Sequence, residues 1–396
     1  MTRQLRKLLC IVLVVFLLVG CTPTSTSNPE DSMAKLEDRI ASYAQLGTAP
    51  DDNYRTWYEV FVYSFCDSNA DGIGDLQGLI SKLDYLEELG VNGIWMMPIS
   101  PSYSYHKYDV NDYYAIDPQY GTMSDFDQLM AECQRRDIKV ILDLVVNHCG
   151  SGNPWFQEAT DYLRNLDPGQ VPTAEECKYY DYFTFATEMK SGYHRVSGTP
   201  YYYEGQFSSS MPDLNWANQD MRADVKDVMQ FWLDKGVSGF RVDAAKEFYT
   251  GAVGKNVEVM NWLQTTASSI KPDVYMVAEV WEVDYRTLAE YYQSGFTSIC
   301  NYPYGNYDGM LCKVLNGRGN PGMVTRWAKS LKTVDDAFSK SNPNYIDAPF
   351  LSNHDVGRIY GFVNGDPMRI KMAGAMNLFM SGAAFIYYGE EIGMPG

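Results

Sequence analysis

Three acidic residues follow three apolar runs of the sequence, at the points where the runs end. Asp243 stands in Gly-Phe-Arg-Val-Asp, Glu279 in Met-Val-Ala-Glu, and Asp355 in Leu-Ser-Asn-His-Asp. A carboxylate at the end of a buried segment is costly unless it is paired or used in chemistry. The C-terminal ends of parallel barrel strands meet at one mouth, so the three side chains are expected to share a site. Paired carboxyl groups in a cleft are what cleavage of a glycosidic bond requires.

Strand-like runs alternate with helical patterns along most of the chain, which is typical of an α/β protein. Eight strands that alternate with helices predict a (β/α)8 TIM barrel. A doubly wound open sheet is the alternative, but no glycine-rich nucleotide-binding loop follows the first strand. The predicted strands are 57–65, 92–97, 139–146, 238–242, 274–279, 296–300, 345–351 and 383–388, and the predicted helices include 76–89, 125–136, 221–235, 257–270 and 369–380.

The composition limits the partners of the protein. The chain has 396 residues and a formal net charge of −18, with 50 acidic residues against 32 Lys and Arg. Such a surface repels nucleic acid and anionic lipid headgroups, and we expect no nucleic-acid partner. The 31 Tyr and 8 Trp fit a carbohydrate binder, because aromatic rings stack on sugars, and they fit equally well a large core with an aromatic rim.

The N-terminus has the pattern of an export signal. Three cations precede the apolar run 8–19, which is too short to span a bilayer comfortably. Leu-Val-Gly-Cys at 18–21 resembles a bacterial lipobox, so residues 1–20 are expected to be a lipoprotein signal peptide and Cys21 the lipidated first residue. The protein would then be extracellular and anchored to the membrane only through Cys21. An ordinary signal peptide with an incidental Cys is the alternative.

The remaining chain divides into a linker, a barrel and an insertion. Residues 21–50 form a polar linker that ends in a short helix, and the barrel occupies 51–148 and 216–396. The connection 149–215 is too long for an ordinary barrel loop and predicts an inserted subdomain. No closing eighth helix follows the last strand, so we expect a chain truncated at its C-terminus.

Six cysteines lie outside the export segment, and their spacing matches no zinc pattern. Cys149 and Cys177 would both lie in the insertion, which favours a disulfide between them. Free buried thiols are the equally weighted alternative.

Six motifs stand in one order along the chain: Asp143-Leu-Val-Val-Asn-His148, Met211-Pro-Asp-Leu-Asn215, Gly239-Phe-Arg-Val-Asp-Ala-Ala-Lys246, Glu279-Val-Trp281, Phe350-Leu-Ser-Asn-His-Asp355 and Tyr387-Tyr-Gly-Glu-Glu391. In this order they resemble the α-amylase family of glycoside hydrolases (family 13) over about residues 57–394. The resemblance implies that the 149–215 insertion is domain B. It also implies that the family's eighth helix and C-terminal β-sandwich are missing from this chain.

The resemblance assigns roles to the three acids. Asp243 matches the nucleophile of a retaining double displacement, Glu279 the general acid/base, and Asp355 the carboxylate that holds sugar hydroxyls. Arg241 stands two residues before Asp243 and therefore on the same face of the strand. Its charge is expected to lower the pKa of Asp243 and keep that carboxyl ionised.

The same resemblance suggests residues that bind substrate. His106 and Tyr108 match a sugar-binding pair at the subsite where the bond is cleaved, and His148 and His354 fall inside motifs. Lys246 lies one helical turn after the nucleophile, on the side that would meet the leaving sugar. Together with Arg241, these residues form the predicted substrate-binding set.

A separate signal predicts calcium. Oxygen donors recur at alternate positions of the loop that follows the first strand, with Gly72 at its turn, as in calcium-binding loops. Position 12 of the loop, counted from Asp67, is Gly78 and not Glu, so the loop is not an EF-hand. The family has a similar calcium loop at this place, and a second site with Asn147 and Asp213 is a weaker inference. The predicted calcium ligands are Asp67, Asn69, Asp71, Ile73 and Asp75.

These features predict an extracellular α-amylase-type hydrolase that cleaves α-1,4-glucosidic bonds of starch or malto-oligosaccharides. A 4-α-glucanotransferase or an oligo-1,6-glucosidase on the same site is the alternative within the family. A lipoprotein that binds glycan without catalysis is the alternative of a different class.

Overall fold

The computed structural model describes residues 55–307, 309–317 and 322–396. The predicted signal peptide, Cys21 and the short helix before the barrel lie outside these residues. Seven parallel strands form one curved sheet: β1 (Trp57–Val60), β2 (Gly93–Met96), β3 (Lys139–Leu144), β7 (Gly239–Val242), β8 (Tyr275–Ala278), β9 (Ser298–Ile299) and β10 (Phe385–Tyr387). Their order across the sheet is β10-β1-β2-β3-β7-β8-β9.

The segment predicted as strand 345–351 closes this sheet into a barrel without forming a regular strand. On one side Asn301 donates its backbone N–H to the carbonyl of Ala348 at 3.0 Å, and on the other Phe385 donates to Pro349 at 2.8 Å. Only one parallel bridge, Cys300 to Ala348, is regular. Pro349 has no N–H to donate, which explains why the ladder is interrupted here. The predicted (β/α)8 barrel is therefore confirmed, with one strand position filled by an irregular segment.

Helices cover the outside of the barrel, and their ends follow ordinary capping rules. Thr122 and Asp125 form a capping box, and Asp366 caps a helix that starts with Pro367. The predicted helix 76–89 is split at Lys82, and the helix at 322–341 was not predicted. The described helices are Val62–Phe65, Leu76–Ser81, Leu83–Leu89, Met123–Arg135, Pro154–Arg164, Gln219–Asp234, Val253–Ile270, Tyr285–Tyr291, Met310–Leu315, Gly322–Ser341, Ile359–Phe362 and Pro367–Phe379.

The 149–215 insertion contains the helix Pro154–Arg164 and a small antiparallel sheet. Its strands are β4 (Phe185–Ala186), β5 (Tyr193–Arg195) and β6 (Tyr202–Glu204), in the order β4-β6-β5. The six cysteines of the described chain are all free, so the preferred disulfide between Cys149 and Cys177 is wrong. Cys149 is buried in the core whereas Cys177 is partly exposed.

The interior of the barrel is filled by large side chains that alternate along the strands. Trp57 stacks on Tyr275 with ring centres 4.9 Å apart, and Trp95 lies beside them in the same buried cluster. These rings fill the lower part of the barrel and leave the C-terminal mouth free for polar groups. In the residues that the structure describes, no helix is long and apolar enough to cross a bilayer.

Candidate active site

A buried arginine lies at the centre of the mouth. Arg241, on β7, is fully buried, and its Nη1 donates to Asp143 Oδ1 and to Asp243 Oδ1, each at 2.7 Å. Its Nη2 forms an ion pair with Glu279 Oε2 at 3.0 Å. Strand periodicity explains the arrangement, because alternate residues of a barrel strand face the interior. The structure therefore brings the predicted nucleophile and the predicted acid/base onto one guanidinium.

The chain after the nucleophile orients Glu279. Ala244 has φ = 46°, which is unusual for a residue with a side chain, and its backbone N–H donates to Glu279 Oε2 at 2.9 Å. Tyr302 donates its hydroxyl to Glu279 Oε1 at 3.3 Å and stacks on Trp281 at 5.1 Å. Both oxygens of Glu279 are thus held, and the carboxyl is fixed beside Asp243.

Arg241 and the three carboxyl groups that it contacts form one cluster of the mouth. A second cluster is centred on His354. Its Nδ1 lies 2.7 Å from Glu59 Oε1, and its Nε2 lies 3.1 Å from Asp355 Oδ2 and 2.6 Å from the hydroxyl of Tyr108. The imidazole also stacks on the ring of Tyr108 with centres 5.3 Å apart. Tyr108 donates to Asp143 Oδ2 at 2.9 Å, so the two clusters are connected.

Electrostatics in the mouth differ in part from the sequence expectation. Burial raises the pKa of Asp243, and Arg241 lowers it less than burial raises it. The expected net lowering was therefore wrong. Asp143 likewise has a pKa raised by burial against the opposing effect of Arg241. Burial therefore favours the protonated form of Asp143 and of Asp243, and the charge of Arg241 opposes it.

The pKa of His354 is shifted upwards by its neighbours. Burial of the ring lowers its pKa, but hydrogen bonds with Asp355 and Glu59 outweigh burial and raise the pKa to about 10. His148 shows the opposite behaviour, because burial lowers its pKa to about 4 and its Nε2–H donates to the carbonyl of Tyr108. Burial also lowers the pKa of His106, so of the three imidazoles that line the cleft only His354 has a raised pKa.

The two clusters open into one cleft of about 780 Å³. Asp243, Glu279 and Asp355 all line it, and Asp355 is the most exposed of the three, with 38% of its side chain accessible. Aromatic rings form much of the remaining wall, which suits the apolar faces of a sugar. The other predicted residues on the wall are His106, Tyr108, His148 and His354.

Two predicted substrate-binding residues do not line the cleft. Arg241 lies beneath it and acts through the carboxylates that it contacts. Lys246 donates its Nζ to the carbonyl of Trp281 at 2.9 Å and pairs with Glu282 at 3.5 Å. This contact places Lys246 behind Trp281, which itself lines the cleft.

Sequence reasoning gave no role to four residues of the site: Glu59, Trp95, Tyr302 and Asp143, the last of which it named only as the start of a motif. Glu59 is 1% exposed on β1, and Trp95 donates its indole N–H to Asp143 at 3.1 Å. An acid in the otherwise apolar run Trp-Tyr-Glu-Val was the available signal for Glu59. Asp143 stands at an inward position of β3, paired with Arg241 across the ladder, but the strand pairing could not be known in advance.

The loop predicted to bind calcium lies outside the mouth. Asp67 accepts backbone N–H groups from Asn69 and Ala70, and Asp71 accepts from Ile73 at 2.8 Å. Asp75 is buried and caps the next helix through Gly78 N–H at 2.6 Å. Within the described part of the chain, no group of three or more His, Cys, Asp or Glu side chains is arranged as a metal site.

Comparison with known proteins identifies the family. The profile described as "Alpha amylase, catalytic domain" matches residues 59–396. The chain belongs to the α-amylase family. It is 43% identical to Alpha-amylase 3 of Dictyoglomus thermophilum over 346 residues, which is 86% of this chain and 64% of that protein. It is 32% identical to an oligo-1,6-glucosidase of Bacillus cereus over 387 residues, covering 85% of this chain and 65% of that one.

Solved structures agree with this assignment. Eubacterium rectale Amy13B superposes with a TM-score of 0.84 at 49% identity, covering 88% of this chain and 68% of that one. The α-amylase from H. orenii gives a TM-score of 0.75 at 39% identity, over 87% and 70% of the two chains. This member of the α-amylase family spans less than two thirds of the length of the two curated relatives above.

Proposed function

We propose that the protein is a retaining glycoside hydrolase that cleaves α-1,4-glucosidic bonds of starch or malto-oligosaccharides. The observation that carries the proposal is the pair of carboxyl groups, Asp243 and Glu279, held on adjacent nitrogens of Arg241 at the floor of the cleft. Retaining glycosidases use two carboxyl groups about 5 Å apart, one as nucleophile and one as acid/base.

The arrangement supports a double displacement. Asp243 attacks the anomeric carbon while Glu279 donates its proton to the glycosidic oxygen, and the bond to the leaving sugar breaks. Glu279 then accepts a proton from water, whose oxygen attacks the anomeric carbon and displaces Asp243. The first step consumes the proton of Glu279 and the second step restores it from water, so the enzyme is regenerated after both steps.

The surrounding residues would serve the oxocarbenium-like transition state. Asp355 pairs with His354 through Oδ2 and is the most exposed of the three carboxyl groups, so its other oxygen can accept sugar hydroxyls. Tyr108 offers a ring face in the cleft, and His106 and His148 offer polar edges beside it. Such contacts accelerate the reaction when they strengthen in the transition state.

The test is release of reducing sugar from soluble starch by the purified chain without residues 1–21. Glu279→Gln keeps the size of the side chain but has no transferable proton, so activity should fall by about 1000-fold or more. Glu290→Gln is the matched control, because Glu290 is exposed on the helix Tyr285–Tyr291. Starch binding by the wild type without any release of sugar would refute the hydrolase proposal in favour of a glycan-binding protein.

The alternatives within the family keep specific support, because relatives named oligo-1,6-glucosidase and 4-alpha-glucanotransferase match this chain at 32% and 30% identity. Products from maltotetraose and isomaltose separate these activities. A hydrolase of α-1,4 bonds yields shorter malto-oligosaccharides from the first substrate alone. Longer products would indicate transfer, and glucose from isomaltose would indicate α-1,6 cleavage.

We also propose that calcium binds the 67–75 loop. The donors are oxygen atoms of the kind that calcium prefers, and Asp67, Asn69 and Asp71 are exposed around one turn. Asp75 caps the helix through Oδ1, and its Oδ2, which accepts from Ser68, would be the calcium ligand. Calcium titration by calorimetry should show binding in the wild type and not in an Asp67→Ala, Asp71→Ala variant; equal binding in both would refute this site.

For location, we propose export and lipid anchoring at Cys21, on the lipobox-like sequence alone. Radiolabelled palmitate should be incorporated into the wild type and not into Cys21→Ser. Absence of label from the wild type would leave an ordinary signal peptide.

A further inference from the structure

One lysine lies between two residues of the cleft wall and yet is fully buried. Lys107 is 0% exposed, whereas its neighbours His106 and Tyr108 both line the cleft. The Nζ of Lys107 lies 2.7 Å from Asp117 Oδ2 and 2.9 Å from Gln119 Oε1. The side chain therefore points away from the substrate side and is tied to the protein interior.

The backbone of Lys107 has a left-handed conformation. Its φ is 64°, a value that residues with a Cβ rarely adopt without support from the surrounding structure. The backbone N–H of Lys107 donates to Ser104 Oγ at 3.2 Å, and that of Tyr108 donates to His106 Nδ1 at 3.1 Å. This local turn lets the lysine point inwards while both neighbours face the cleft.

The acceptors of the lysine are themselves fixed to the barrel. Asp117 donates its backbone N–H to the carbonyl of Ile99, just after β2, at 2.8 Å. Tyr120 accepts a hydrogen bond from the backbone N–H of Leu76 at 2.9 Å, and its ring lies 4.8 Å from the ammonium of Lys107. The ion pair thus joins a loop of the active site to a segment held at two points.

The turn around Lys107 positions the hydroxyl of Tyr108. This hydroxyl contacts Asp143 at 2.9 Å and His354 at 2.6 Å, so it touches both clusters of the mouth. A small shift of the Tyr108 ring would change both hydrogen bonds and the surface offered to the sugar. Catalysis is sensitive to such shifts, because reacting groups must be held in a narrow geometry.

We propose that Lys107 is a positioning residue, whose buried ion pair with Asp117 holds the left-handed turn that keeps His106 and Tyr108 in the cleft. The inference rests on the proposed use of this cleft for an α-glucan. It differs from a purely stabilising role, because it requires that activity be lost even where stability is retained.

A double-mutant cycle separates the two roles. Lys107→Met removes the ammonium but leaves a buried carboxylate, and Asp117→Asn leaves a buried ammonium, so each single variant should melt at a lower temperature. The double variant has no unpaired buried charge and should recover most of the melting temperature. Its kcat/KM on maltoheptaose should nevertheless stay about tenfold below the wild type, mainly through a higher KM. The matched control is the partly exposed pair Lys235 and Asp127, replaced in the same way, which should leave kcat/KM within twofold.

The outcomes decide the proposal. A double variant with wild-type stability and wild-type kcat/KM would overturn it. If the double variant does not fold, Asp117→Asn decides, because it removes the ion pair with Lys107 but keeps the size of the side chain. A threefold or larger loss of kcat/KM supports positioning, and an unchanged value refutes it. If the wild type hydrolyses no α-glucan, the proposed function fails, and the affinity for maltoheptaose measured by calorimetry decides instead. Tenfold weaker binding in the double variant supports the positioning role, and equal binding overturns it.

Discussion

Arg241→Lys is the most informative change in the mouth, because it keeps the charge and removes the shape of the guanidinium. In the wild type, one nitrogen of Arg241 donates to Asp143 and Asp243 at 2.7 Å each, and another pairs with Glu279 at 3.0 Å. A lysine has a single nitrogen and cannot span the same three carboxyl groups. The substitution should therefore break at least one of these interactions without removing the positive charge.

The expected loss of activity can be worked out from the hydrogen bond that the substitution breaks. A hydrogen bond to a charged group contributes about 1.5–3 kcal/mol. Since about 1.4 kcal/mol corresponds to a factor of ten in rate, kcat/KM should fall by about 10- to 140-fold. Arg241→Met should be far worse, because removal of one partner from a buried ion pair costs about 3–5 kcal/mol and would destabilise the fold itself.

The assay is the initial rate of sugar release from maltoheptaose, measured beside thermal unfolding by circular dichroism. Arg286→Lys is the matched control, since Arg286 forms a similar forked pair with Asp284 but is 74% exposed. The control should keep full activity. If Arg241→Lys, folded like the wild type, retains kcat/KM within threefold, then the fork geometry of Arg241 does not hold the catalytic carboxyl groups as argued.

Two further changes test the supporting structure. Glu59→Gln removes one anion that raises the pKa of His354 to about 10 from its usual 6.5, so this pKa should fall and the alkaline limb of kcat/KM should move about 1–3 pH units lower. In the wild type, the charged ring of His354 stabilises the fold fully below about pH 6.5, and this stabilisation is lost as the pH rises through about 10. In Glu59→Gln the same loss should occur at a lower pH. A pH–rate profile that superposes on the wild type would contradict this. Gly239→Ala should destabilise β7 by at least about 2 kcal/mol in urea unfolding, because its Cβ would overlap the carbonyl of Tyr275. In Gly254→Ala nothing lies within 4 Å of the new Cβ, so it should be neutral or slightly stabilising, and equal effects of the two changes would refute the packing argument.

Much of the barrel was predictable because its signals are local. Apolar strands such as 139–146 and helices such as 221–235 follow from hydrophobic periodicity, which neighbouring residues determine. The helix 322–341 was missed, and the segment around Pro349 was predicted as an ordinary strand. Whether the segment around Pro349 forms a regular strand depends on the hydrogen bonds that it makes with the strands on either side. Those strands are known only once the barrel is closed.

The sequence by itself determined the family, the barrel and the placement of Asp243, Glu279 and Asp355 at strand ends, because these are properties of motifs and periodicity. Tertiary structure alone decided which groups meet. Asp143 reaches Arg241 from the neighbouring strand, and Glu59 reaches His354 across 295 residues of chain. It also decided the direction of the Asp243 pKa shift, since burial depends on everything packed around a carboxyl and not on the adjacent arginine alone.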